Sequence, residues 1–172
     1  MKFFLSLFLC FFIFNTSVMS EQKIVFVDMD RVISTSKPGS SLFNQLKDIN
    51  NKNLIFLKKE EKKFKEKENK LIAQKNIISE ADFNNKVNEL KSEIKNYNQN
   101  RSKKIKIFNK LKIENTNNLL KLINPILTKY SDENKISIIL QKKDLIIGKI
   151  ELDITDEIIK NVDKEIKEFK IK

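Results

Sequence analysis

The chain contains a run of 85 residues, from Ser40 to Asn124, that holds neither of its two glycines nor either of its two prolines. A run of this length without a helix breaker, rich in Lys, Glu, Asn, Leu and Ile, is typical of long helices. Its apolar residues recur about every 3.5 positions, which is the spacing of a coiled-coil seam. In the second half of the run these residues are Phe83, Val87, Leu90, Ile94, Tyr97, Ile105, Phe108 and Leu111.

The seam is interrupted near residues 76–82, where Ser79 and Asp82 fit the S-x-x-D pattern of a capping box. A helix start at this point predicts an antiparallel hairpin, with one helix from about Ser40 to Ile77 and a second from Ser79 onward. Each arm would have about 40 residues and be roughly 60 Å long. A single continuous helix in a parallel rod is the alternative.

Residues 1–20 have the layout of a secretory signal peptide. The apolar stretch 3–14 has 12 residues, too few to span a bilayer. The smaller residues at 18 and 20 predict cleavage before Glu21. An uncleaved anchor is the alternative, and lipid attachment at Cys10 is disfavoured because the residue before it is not small.

Composition excludes several kinds of chemistry. Without residues 1–20 the chain has 152 residues, a net charge of +10 instead of +11, and no Cys, His or Trp. It therefore cannot form disulfides, has no histidine to act as a base or metal ligand, and has no glycine-rich phosphate loop. We predict no enzyme activity, no metal site and no cofactor. Capping and turn roles explain the carboxylates of Asp28, Asp30, Asp153, Asp156 and Glu157.

The two ends of the chain carry short apolar runs. The β-branched run Ile24–Val27 predicts a buried strand, followed by a short helix within 28–33 and a loop at 36–39. The pair Asn124-Pro125 predicts a kink or a restart of the helix.

Two more strands are predicted at 137–140 and 145–148, paired as a hairpin through a turn at 141–144. A last helix is predicted to start at 153–157, with a capping residue and acids in its first turn. Its apolar face consists of Ile158, Val162, Ile166 and Phe169.

Outside the arms the chain is small. Segments 21–39 and 131–172 contain only 61 residues. A body of that size buries too little apolar surface to be comfortably stable alone, and its short strands leave edges that invite pairing. The sequence therefore predicts an oligomer in which several copies merge their sheets, without fixing their number.

Positive charge is concentrated in two parts of the arm. Segment 58–75 holds eight lysines and four glutamates, and segment 101–112 holds six positive residues and no acid. In the hairpin, position 58 would lie opposite about position 100, so the two segments occupy adjacent parts of the length of the hairpin. Their field would attract anionic surfaces or polypeptides. An ordinary solvated face is the simpler interpretation, and the export signal argues against nucleic-acid binding.

Several stretches, in this order around a long polar hairpin, resemble the Skp/OmpH family of periplasmic chaperones: 23–33, 36–39, 124–126, 136–140, 144–147 and 153–159. The resemblance covers the whole chain, although no single stretch is decisive. It implies a periplasmic homotrimer that works without ATP. Strands of three subunits would form a shared β body, and three helical hairpins would surround a cavity that holds unfolded outer-membrane β-barrel proteins.

The fold implied is mainly α, with a long antiparallel hairpin (40–122) projecting from a small β oligomerisation body (21–39 and 123–172). The resemblance assigns the oligomer interface to apolar residues of the three predicted strands. These are Ile24, Val25, Phe26, Val27, Ile138, Ile139, Leu140, Leu145, Ile146 and Ile147.

Client contacts are predicted on the arm, where apolar residues lie near interruptions of the seam and basic residues add attraction. The candidates are Phe56, Phe64, Leu71, Lys58, Lys62, Arg101 and Lys104. Packing within the seam is the alternative role for the three apolar residues. Two other functions stay open: a structural coiled-coil spacer of the envelope, and a basic peripheral protein that binds anionic lipid. Lipopolysaccharide is a further candidate ligand.

Overall fold

The structure, a computed structural model, describes residues 22–172, so the predicted signal peptide lies outside the described residues. Most of the described chain is helical, as predicted. The elements in chain order are β1 (Lys23–Val27), α1 (Met29–Thr35), α2 (Lys37–Gln74), α3 (Glu80–Glu133), β2 (Ile136–Gln141), 3₁₀ turns at Lys142–Asp144 and Ile150–Leu152, and α4 (Thr155–Glu165).

Helices α2 and α3 form the predicted antiparallel hairpin. At its tip the Asp82 N–H donates to the Ser79 hydroxyl at 3.1 Å, so Ser79 caps α3 as the capping box predicts. Between the arms, the Lys67 ammonium lies 2.5 Å from a carboxylate oxygen of Glu93. This pair agrees with the predicted register of the two arms. A single continuous rod is wrong, because the chain reverses direction between Gln74 and Glu80.

The predicted loop at 36–39 is wrong, because α2 begins at Lys37. Ser36 alone separates α1 from α2, and its hydroxyl accepts a hydrogen bond from the Gly39 N–H at 3.3 Å. Pro38 fits the first helical turn, where its missing N–H leaves no helical hydrogen bond unmade.

Helix α3 continues through Pro125 to Glu133, so the predicted restart of the helix does not occur. An internal proline costs a helix about 3 kcal/mol. Here Ile123 and Ile126, on either side of the proline, are both buried in the core. Their packing holds this part of α3 helical despite the proline.

Strands β1 and β2 form a parallel two-stranded sheet, with Ile24 opposite Ile138 and Phe26 opposite Leu140. Parallel neighbours need a long crossover connection, and the helical hairpin between β1 and β2 provides it.

The predicted third strand at 145–148 is wrong, because residues 145–149 form neither strand nor helix. The segment follows a 3₁₀ turn and leads to Asp153, which forms an isolated bridge with Phe26 of β1. Gly148 lies against the Phe26 ring, where a Cβ atom at position 148 would be 2.7 Å from a ring carbon, but the isoleucines of the segment are exposed. Ile146 and Ile147 are 103% and 89% exposed.

The core lies where the base of the hairpin meets the sheet, α1 and α4. The face predicted for the last helix is found there, although α4 ends at Glu165 and Phe169 reaches the core from an extended segment. The main buried residues are Val25, Val27, Val32, Leu42, Leu46, Leu119, Ile123, Ile126, Ile136, Ile154, Ile158, Val162 and Phe169.

Residues 166–172, called the strap below, run across the base of both arms. The carbonyl oxygen of Phe169 accepts from the Gln45 side-chain amide of α2 at 2.6 Å. The Lys172 N–H donates to the side-chain oxygen of Asn115 of α3 at 3.2 Å. Asn115 is buried, so the strap supplies a partner for a polar group that has no access to water.

Candidate functional site

A groove of about 640 Å³ lies between the two helices halfway along the arm. We call it the mid-arm groove. Aromatic side chains form much of its wall, because the seam there carries rings instead of small aliphatic residues. The Phe64 and Tyr97 rings pack edge to face, with centroids 5.3 Å apart and planes inclined by 62°. Phe56 of α2 and Ile107 of α3 extend this apolar wall and are 46% and 57% exposed.

Tyr97 is held in place by its hydroxyl, which donates to Glu61 of the facing helix at 2.8 Å. Burial, and then the hydrogen bond to Glu61, raises the pKa of Tyr97 above its usual value of 10.0. The phenol therefore stays neutral at physiological pH and contributes an apolar ring with one polar tip.

The charges around the groove do not cancel. Lys63 lies 2.6 Å from Glu60, and Lys67 is paired with Glu93. In contrast, neither Lys103 nor Lys104 forms an ion pair with any carboxylate among residues 22–172. The Lys104 ammonium instead lies 4.8 Å from the centroid of the Phe56 ring. The mid-arm groove thus combines exposed apolar side chains with positive charge that the protein leaves unneutralised.

The structure brings three of the predicted client contacts, Phe56, Phe64 and Lys104, together in the mid-arm groove. Leu71 lines a separate groove of about 310 Å³ nearer the tip. The other three do not line the mid-arm groove; these are Lys58, Lys62 and Arg101, all exposed on the arm.

Sequence reasoning missed Tyr97, Lys103 and Ile107 as site residues. The apolar period places Tyr97 in the seam, and only the register between the arms shows that its ring meets Phe64. The signal was present in part, because the predicted register places Phe64 opposite about position 94, within one helical turn of Tyr97.

A second surface lies on the body and consists of exposed residues of both strands and of the segment that follows β2. We call it the apolar edge. Within the part of the chain that the structure describes, β2 pairs only with β1. The exposed apolar side chains here are Ile24, Ile138, Leu140, Ile146, Ile147 and Ile150. Unpaired strand groups beside exposed apolar side chains are typical of an association surface.

The predicted interface residues divide by burial into three groups. Val25, Phe26 and Val27 are buried inside the chain, whereas Ile24, Ile138, Leu140, Ile146 and Ile147 are exposed. Ile139 and Leu145 are half-buried. What this surface and the mid-arm groove offer chemically is apolar contact and positive charge.

Residues 22–172 hold no group of three or more Asp, Glu, Cys or His side chains placed to bind a metal ion. In the same range, none of the helices combines the length and the apolar character that crossing a bilayer requires.

Comparison with known proteins places the chain in a family. Residues 23–162 match the family model described as outer membrane protein (OmpH-like). The crystal structure of a candidate outer membrane chaperone (OmpH-like) from Caulobacter crescentus has the same fold, with a TM-score of 0.79 and 17% sequence identity over 87% of this chain and 88% of that chain. A search of curated protein sequences finds no match. Because the family match includes the sheet, both arms and most of α4, the chain belongs to the OmpH-like family.

Proposed function

We propose that this protein is an ATP-independent periplasmic holdase chaperone that binds unfolded outer-membrane β-barrel proteins. The observation that carries the proposal is the mid-arm groove, a solvent-open groove that presents aromatic side chains together with two lysines that no carboxylate of residues 22–172 neutralises. Membership in the OmpH-like family supports the same reading.

A holdase must bind many unrelated chains, so it benefits from an adaptable surface more than from a tightly fitted one. Positive charge along the arm would attract clients over a distance, and individually weak apolar contacts would keep them exchangeable. The seven predicted client contacts, together with Tyr97 and Lys103, are the residues that we assign to this binding.

We further propose that three copies assemble through the apolar edge, with residues 21–39 and 123–172 as the shared body and residues 40–122 as the arms around a cavity. Exposed apolar residues such as Ile146 and Ile147 support this assembly, because their exposure in an isolated subunit is unfavourable. Val25, Phe26 and Val27 would contribute indirectly, because their packing in the core holds β1 in place in the sheet.

The decisive experiment measures the mass of the mature protein in solution by light scattering, with and without a urea-unfolded porin. We expect a trimer, a complex with the porin, and suppression of porin aggregation at near-stoichiometric amounts of protein. A lone compact subunit that lets the porin precipitate would refute the proposal. A trimer without suppression would instead indicate a structural spacer.

The interface can be tested with Ile147→Asp, which places a charge in the apolar edge without touching the core of the subunit. Burying that charge between subunits would be costly, so we expect the trimer to dissociate. Ile55→Asp is the matched control, because Ile55 is a 68% exposed isoleucine on the arm. Ile139→Asp should also dissociate the trimer, although it additionally disturbs the packing of β2. A trimeric Ile147→Asp protein would show that the interface lies elsewhere.

A further inference from the structure

We infer that the mid-arm groove selects client segments in which an aromatic side chain stands next to carboxylates. This inference rests on the proposed chaperone function and narrows it to one site and one chemical class of polypeptide. It follows from two properties of the groove, the aromatic wall and the unequal distribution of charge.

The aromatic wall favours a ring as the occupant. The edge-to-face pair of Phe64 and Tyr97 leaves ring surface facing the groove, and Phe56 is half exposed beside it. Aromatic rings gain additional stabilisation from such pairings beyond the area they bury. The volume of about 640 Å³ accommodates one client ring together with its neighbouring residues.

The lysines on the rim of the groove favour carboxylates beside the client ring. Lys63 and Lys67 are compensated by Glu60 and Glu93. Lys103 and Lys104 both lie on α3, and within the described residues neither has a carboxylate partner. They belong to the segment 101–112, which carries six positive residues and no acid. One rim of the groove is therefore positive without compensation.

The contact between Lys104 and Phe56 joins the two properties. With its ammonium 4.8 Å from the ring centroid, Lys104 holds a charge directly above the apolar wall. A client carboxylate one or two residues from a client ring would reach this ammonium while the ring contacts Phe56. A basic client segment would be repelled at the same place.

The test measures, by isothermal titration calorimetry with the full mature protein, binding of a short unlabelled Gly/Ser peptide with blocked termini that carries one Phe flanked by two Asp. Two comparison peptides replace Phe by Ala or both Asp by Asn. We expect the first peptide to bind the wild type most tightly. The protein variant Lys103→Gln/Lys104→Gln should weaken its binding about 10-fold, since each ion pair lost at an exposed site weakens binding only a few-fold. The Asn peptide should bind both proteins equally.

Two further variants complete the design. Phe56→Ala should weaken binding of the Phe peptide and leave the Ala peptide unaffected. Lys47→Gln/Lys121→Gln removes the same charge from exposed positions near the base of the arms, and should bind all peptides as the wild type does. Circular dichroism should show unchanged helix content in every variant.

The outcomes separate this inference from the function on which it rests. If the wild type suppresses porin aggregation but binds the three peptides equally, or if both lysine variants lose equal affinity, the selectivity is wrong and the holdase stands. If phosphatidylglycerol vesicles displace the peptide from the wild type and bind Phe56→Ala equally well, the groove is a lipid-phosphate site and the inference is wrong. If the wild type fails to suppress aggregation, the proposed function itself fails.

Discussion

Replacing Gly39 by alanine tests how the first turn of α2 packs against α1. A Cβ atom at position 39 would lie 1.7 Å from the carbonyl oxygen of Ile33 and 2.7 Å from its carbonyl carbon, where ordinary contact begins at 3.4 Å. Both atoms belong to the backbone, so the clash cannot be relieved by rotating a side chain. The two helices have to move apart.

The magnitude follows from two opposing effects. Alanine is a better helix former than glycine by about 1 kcal/mol, which alone would stabilise the protein. Separating α1 from α2 loosens the packing of Val32, Ile33 and Leu42, all of them buried. Forcing an extra methyl group into a closed contact costs about 1–3 kcal/mol, and more where the backbone has to shift as it does here, so we expect a net destabilisation of about 2 kcal/mol. The melting temperature should fall by on the order of 10 °C.

Thermal unfolding followed by circular dichroism measures this effect. Wild type and variant must be compared at equal protein concentration, because the proposed assembly would make the melting temperature depend on concentration. Ser102→Ala is the control, since it also raises helix propensity but at an exposed position of α3. A Gly39→Ala protein that melts at or above the wild-type temperature would show that α1 and α2 do not pack this closely.

Three smaller perturbations probe other parts of the chain. Ser79→Ala removes the cap of α3 and should cost about 1 kcal/mol locally, seen as faster amide exchange at the tip; unchanged exchange would contradict the cap. Phe169→Ala should cost up to about 3 kcal/mol and release the strap, seen as faster proteolysis of residues 166–172; equal proteolysis would argue against its packing. For Asp153, burial would raise the pKa, but hydrogen bonds from Thr155 and Lys142 outweigh it and lower the pKa below 3.8. Ionised Asp153 therefore stabilises the fold fully above about pH 3.8, and this stabilisation is lost as the pH falls below that value. Between pH 6 and pH 3 the urea midpoint of Asp153→Asn should change less than that of the wild type. Parallel curves for the two proteins would refute this.

The hairpin could be predicted from the sequence because its signals are local. The absence of Gly and Pro between Ser40 and Asn124, and the capping box at Ser79, act within a few residues of the positions they specify. The apolar face of α4 is similarly local. These signals do not depend on what the rest of the chain does.

The third strand could not be predicted correctly, because a β-branched composition alone does not decide which edge a segment pairs with. Residues 145–148 have the composition of a strand, yet Gly148 lies against the Phe26 ring and the segment leads to the bridge between Phe26 and Asp153. The continuation of α3 through Pro125 has a similar cause, since the packing of Ile123 and Ile126 outweighs the tendency of proline to end a helix. In both places, contacts distant in sequence decide the backbone.

Only part of the mid-arm groove could be predicted from the sequence. Phe56, Phe64 and Lys104 follow from composition and seam interruptions, residue by residue. Tyr97 and Lys103 are recognised as groove residues only when the two helices are aligned side by side. That Lys103 has no carboxylate partner can be seen only when all its neighbours among the described residues are known. Periodicity alone cannot separate a ring that fills the seam from one that also faces a groove.

The parallel pairing of β1 with β2 has a consequence for how the protein folds. The two strands are more than one hundred residues apart in sequence, so closing that gap in an unstructured chain would be slow and entropically costly. Helices form within about a microsecond, and a completed hairpin returns the chain to its starting point. The arms therefore act as the template that carries β2 to β1, and mutations that weaken them should delay formation of the sheet even when they lie far from it.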